Sequence, residues 1–107
     1  MSEDGGEIGR LPLSELPEGS MRRLPRPPFD VLVAHVQGRL LAIEDACPHS
    51  GRSLSEGRLE GCRVVCAGHG WVLDLASGEV LTEVGRGESN PTFRVQREGG
   101  DVVVYER

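Results

Sequence analysis

At 107 residues the chain is long enough for one lean core and too short for a second catalytic domain. A net charge of −5, with no basic stripe to displace counterions from phosphate, excludes a nucleic-acid partner. No apolar run nears the roughly 20 residues a membrane helix needs. Met1–Arg10 lacks the apolar stretch of a secretory signal. Three cysteines, an odd number, argue against a disulfide framework and for a reducing, cytoplasmic setting. Hydrophobic residues make up 37% and aromatics 4%, so burial alone leaves a thin margin, which a metal centre tying loops together would widen.

The 15 glycines and 7 prolines interrupt every stretch that could become a long helix. In chain order, Leu13–Leu16 offers one helical turn before Pro17, and Pro25-Arg26-Pro27-Pro28 reads as a stiff, polyproline-like connector. Val31–Val36 and Leu40–Glu44 are β-rich runs joined at Gln37-Gly38-Arg39, which predicts a hairpin. Arg63–Cys66 and Trp71–Asp74 flank Ala67-Gly68-His69-Gly70, a second hairpin with His69 at its tip. Ser77-Gly78 turns into a strand over Glu79–Thr82, and Thr92–Gln96 pairs with Val102–Tyr105 across Glu98-Gly99-Gly100-Asp101. Short strands at this spacing predict an all-β fold. We expect a single domain over residues 1–107. Within it, residues 45–73 form a loop-built subdomain of different character, glycine-rich and bearing cysteine and histidine.

That segment carries the chemistry. Cys47-Pro48-His49 is followed, after sixteen intervening residues, by Cys66-Ala67-Gly68-His69. Thiolate and imidazole donors select zinc, copper or iron–sulfur centres over oxygen-loving cations. A lone cysteine or histidine is usually a core residue, whereas two matched pairs on glycine-rich loops form a constellation. One reading is a structural zinc site that closes all four side chains around one ion. The other is a [2Fe–2S] cluster, with the cysteines on one iron and the histidines on the other. Gly51, Gly68 and Gly70 favour the cluster, because bare backbone lets N–H groups approach its sulfides.

The run Cys47-Pro48-His49-Ser50-Gly51, then Leu54, Gly57, Gly61, Cys66–Gly70 and Asp74…Ser77-Gly78, resembles the Rieske signature. The strand order around it is similar to the small Rieske ferredoxins, over Ile8 to the C-terminus. The resemblance implies stacked antiparallel sheets with the cluster-binding subdomain at one tip. Cys47 and Cys66 would then hold the inner iron, and His49 and His69 the outer one. It also implies a carrier of single electrons, passing them from a flavin-containing ferredoxin reductase to a terminal oxygenase, with no substrate chemistry on this chain. The small subunit of nitrite reductase-like complexes is the alternative relative, and a zinc module the alternative class.

Departures from the family pattern sharpen this. High-potential members link their two cluster loops by a disulfide, and the matching positions here are Arg52 and Gly68. Such members also donate hydroxyl hydrogen bonds from a serine and a tyrosine; here these positions are Trp71 and Leu73. Fewer donors leave the reduced cluster less stabilised, which implies a potential near the low end of the range, about −150 mV. The residue after the second cysteine is Ala67, where proline is common, and the covering loop 83–90 lacks the usual prolines, so a looser cover is expected. Cys62 reads as a small buried hydrophobe. His35, mid-strand, reads as packed, which leaves no second iron site of the oxygenase kind.

Overall fold

The computed structural model describes residues 6–68 and 70–106. Among these residues nine strands follow in order: β1 (Glu7–Pro12), β2 (Ser20–Leu24), β3 (Val31–Val36), β4 (Arg39–Glu44), β5 (Arg58–Glu60), β6 (Arg63–Val65), β7 (Val72–Asp74), β8 (Thr92–Glu98) and β9 (Asp101–Tyr105). Short 3-10 turns cover Leu13–Glu15 and Leu54–Glu56. All strand pairs are antiparallel, in a six-stranded sheet ordered β1-β9-β8-β4-β3-β2 and a three-stranded sheet β5-β6-β7. The expected all-β class is what forms.

The β3–β4 hairpin turns at Gln37-Gly38, both with positive φ (53° and 74°), the backbone that matches the twist of the flanking strands. Alternate side chains of β3 then go to opposite sides. Val31 and Val33 join Leu11, Leu16, Ala42, Val102 and Val104 in one core. Leu32, Ala34 and Val36 join Ile43, Leu54, Val64, Leu73, Leu75 and Val80 in another. Both faces of β3 are therefore covered, which is why its run is apolar without alternation. Each buried Val, Leu or Ile side chain among them contributes about 1.5–3 kcal/mol relative to exposure. The small sheet β5-β6-β7 supplies part of the second core, and the N-terminal segment and β9 supply part of the first.

β8 joins the two ladders. It pairs with β4 through Thr92 and Phe93 only, then with β9 from Arg94 to Glu98. Because β9 packs against the β3 face opposite the small sheet, the six-stranded sheet turns over on itself at β8.

Three strands were not expected from the sequence. β1 (EIGRLP), β2 (SMRRL) and β5 (RLE) are edge strands whose side chains, Leu11 apart, are exposed or half-buried; charge and glycine suit an edge but erase the alternation by which a strand is recognised. Two expectations are corrected. Residues 79–82 form no strand: Glu79 and Val80 make isolated bridges to Ser89 and Leu73. Residues 25–28 do not run as an extended connector, because β2 and β3 are antiparallel neighbours and the chain must reverse between them. The Asp30 carboxylate accepts the Arg26 N–H across that reversal, at 3.4 Å.

Candidate metal centre

The two predicted ligand loops fold alike. In the first, the Gly51 N–H donates to the Cys47 carbonyl (2.7 Å) and the Cys47 N–H to the Arg52 carbonyl (2.8 Å). In the second, the Gly70 N–H donates to the Cys66 carbonyl (3.2 Å) and the Cys66 N–H to the Trp71 carbonyl (2.8 Å). Gly51 and Gly70 close these turns at φ 76° and 74°, a left-handed backbone that glycine adopts without Cβ strain. Each loop thus pins a cysteine at its base by the same pair of bonds. The loops leave β4 and β6, strands anchored in one core, and that core contains both thiols, with Cys47 and Cys66 only 2% and 3% exposed. Neither is in a disulfide.

His49 reaches the surface from the first loop. Its ring meets the Trp71 indole at the end of the second, with centroids 4.9 Å apart and planes tilted by 37°. The loops also meet at Arg52 and Gly68: a Cβ on Gly68 would lie 3.5 Å from Arg52 Nε. The two positions singled out as the place of a loop-to-loop link are thus neighbours in space. His69, the fourth expected ligand, lies outside the described residues. Among those described, no three His, Cys, Asp or Glu side chains are grouped around a single-ion site.

Residues the sequence reading did not single out support the loops from behind. Asp45 is buried, and its carboxylate accepts both the Ser55 N–H and the Ser55 hydroxyl at 2.7 Å. This braces the first loop against the turn that follows it. Burial pushes the Asp45 carboxyl above its usual range, against the lowering effect of the Ser55 bonds. The buried Asn90 amide donates to the Glu44 and Ala46 carbonyls at 2.9 and 2.7 Å, satisfying backbone acceptors where β4 gives way to the loop. No local pattern marks either residue, since their partners lie 10 and 44–46 positions away.

Segment 83–90, expected as a cover, is tied in by backbone bonds and by one ring contact. Val80 N–H donates to the Glu88 carbonyl and Glu88 N–H to that of Gly85, at 2.9 and 3.0 Å. Gly85 presses on Trp71 so closely that a Cβ there would fall 2.4 Å from the indole. Gly57 has a similar reason: a Cβ would sit 1.8 Å from the Val65 carbonyl oxygen, so the turn after Leu54 can lie against β6 only when that residue is bare.

The other two candidate side chains lie apart from this chemistry. His35 Nδ1 donates to the Leu16 carbonyl at 2.9 Å, and Nε2 faces the Glu18 carboxylate at 3.5 Å, so it is packed as expected. Cys62 is half-buried rather than buried, and its thiol donates to Gln37 Oε1 at 3.1 Å.

A family profile, the Rieske [2Fe–2S] domain, matches residues 10–94. The chain belongs to this family. It is 33% identical over 98 residues to the 3-phenylpropionate/cinnamic acid dioxygenase ferredoxin subunit of Escherichia coli K12, covering 91% of each chain. Over 62 residues it is 40% identical to the 4beta-methylsterol monooxygenase of Methylococcus capsulatus, of which it spans only 17%. Among solved structures, the ferredoxin of carbazole 1,9a-dioxygenase from Nocardioides aromaticivorans superposes with a TM-score of 0.86 at 17% identity, with 95% and 99% of the two chains covered. A chain in the oxygenase–ferredoxin complex of carbazole 1,9a-dioxygenase superposes with a TM-score of 0.83 at 28% identity, covering 92% and 94%.

This Rieske protein is accordingly an electron-transfer component that binds a [2Fe–2S] cluster. Its loops suit that group: two buried thiols stand on matched turns, and an imidazole lies toward solvent. When bound, such a cluster takes up and returns one electron at a time. No helix is long and apolar enough to cross a membrane among the described residues.

Proposed function

We propose that Cys47 and Cys66 hold the buried iron of the cluster and that His49 and His69 hold the outer one. The protein then carries single electrons from a flavin-containing ferredoxin reductase to a terminal oxygenase, in the cytoplasm. Residues 1–107 act as one domain, with 45–73 as its cluster-binding part. The observation that carries this reading is the matched bonding of the two loops, each holding a buried cysteine at its base. A two-iron cluster taking one thiolate and one imidazole from each loop fits that likeness, and the match to the Rieske [2Fe–2S] domain favours it over a single-ion zinc site.

The exposed His49 gives the electron an exit toward a docked acceptor, while the thiols stay out of water. With Trp71 and Leu73 both buried and neither bearing a hydroxyl, few donors stabilise the added negative charge, and the couple lies near about −150 mV. Purified protein tests the ligand set. Red-brown protein with two iron and two acid-labile sulfide per chain, lost in Cys47→Ser and His49→Ala, is the expected result. Colourless protein holding one zinc would refute it.

A further inference from the structure

Arg52 ends the first loop with its backbone committed, the N–H to Ser50 Oγ at 3.3 Å and the carbonyl to Cys47 N–H at 2.8 Å. Its side chain crosses to the second loop. The place a Cβ would take on Gly68 lies 3.5 Å from Arg52 Nε, 3.8 Å from Arg52 Cδ and 3.8 Å from Cys66 Sγ. The root of the guanidinium and the thiol therefore approach the same bare stretch of backbone and lie at most about 7 Å apart. Arg10, Arg23, Arg26, Arg58 and Arg86 each face a carboxylate. Arg52 is exposed and has no such partner among the described residues. In a chain of net charge −5, an uncompensated cation stands beside a buried thiol.

We propose that Arg52 is a potential-setting residue: its fixed charge, laid across Gly68, stabilises the negative charge that one-electron reduction would add to the cluster held in part by Cys66. The inference rests on Cys66 being a cluster ligand. One electron enters from the donor and one leaves to the acceptor. Arg52 exchanges no proton in either step, because a guanidinium stays charged throughout the working range of pH. Its action is Coulombic. Across about 7 Å of partly hydrated protein, one charge changes the reduced-to-oxidised ratio roughly three- to tenfold, which is about 30–60 mV for a one-electron couple.

Protein-film voltammetry of the cluster-loaded protein tests this with Arg52→Gln, Arg52→Lys and Arg52→Glu. Arg52→Gln is expected to move the couple negative by about 30–60 mV, Arg52→Glu further, and Arg52→Lys to stay close to the parent. The gap between parent and Arg52→Gln should narrow at high salt, as the interaction of an exposed charge must. If Arg52→Gln keeps full iron and sulfide and leaves the couple unmoved, the proposal fails while the ligand set stands. Equal, salt-independent shifts in Arg52→Gln and Arg52→Lys would mean a packing role and would also overturn it. A Cys66→Ser protein with an unaltered cluster spectrum would instead refute the ligand assignment on which the proposal rests.

Discussion

Gly85→Ala probes how the covering segment holds the candidate centre. The new Cβ would lie 2.4, 2.5 and 2.9 Å from three ring carbons of Trp71, inside any real contact distance, so either the indole or the segment must move. The residue also sits at φ +95°, where a side chain adds about 1–2 kcal/mol of backbone strain. Forcing a methyl into a packed site costs a further 1–3 kcal/mol or so, for a total of about 2–5 kcal/mol. Gly87 provides the control. It lies in the same segment at φ +100°, but nothing is within 4 Å of its Cβ position, so Gly87→Ala bears the backbone cost alone, about 1–2 kcal/mol. Trp71 is the single tryptophan, and its emission follows urea unfolding at the contact in question. A bound metal centre breaks two-state reversibility, so midpoints are compared rather than extrapolated free energies. At a slope of about 1.5 kcal/mol per molar, Gly85→Ala should unfold roughly 1 M earlier than Gly87→Ala. It should also shift the native emission, because the indole is displaced from His49. Equal midpoints and an unchanged native spectrum would refute the contact.

Three further outcomes follow from the same structure. Asp45→Ala strands the Ser55 N–H and hydroxyl near the first loop and should cost about 2–3 kcal/mol in chemical denaturation, with Asp45→Asn recovering most of it. Arg26 holds the Glu106 carboxyl below its usual range by two hydrogen bonds of 2.7 and 2.8 Å. A carboxyl with a lowered folded-state pKa adds stability above its unfolded value, near 4.5, and loses it as pH falls through the folded value. The difference between parent and Glu106→Gln, at most about 1 kcal/mol for a pair this exposed, should therefore be present at pH 7 and vanish in acid; a gap that persists below pH 3 or so would contradict the assignment. Cys62→Ser keeps a donor for Gln37 Oε1 and should leave iron content, spectrum and stability within about 1 kcal/mol of the parent.

The parts of this protein legible from its sequence are those whose causes are local. Gln37-Gly38 and Gly99-Gly100 specify tight turns between strands, and the spacing of the two Cys/His pairs points to a metal centre from residue chemistry alone. The all-β class follows from glycine and proline breaking every helical register. Edge strands β1, β2 and β5 were hidden because an edge tolerates charge, and charge removes the alternation that marks a strand. The apolar run of β3 is plain in the sequence, but its division between two cores is not. That division depends on the sheet turning over at β8, a consequence of Thr92 and Phe93 pairing with β4 while Arg94–Glu98 pair with β9.

The supports of the centre belong to the tertiary structure for a related reason. Asn90 meets Glu44 and Ala46, Gly85 meets Trp71, and Arg52 meets Gly68 across separations that no period or motif encodes. The proposed donor set, Cys47, His49, Cys66 and His69, is readable from residue chemistry and spacing. Its burial, and the charge placed beside it, come from distant segments that touch only once the sheets have packed.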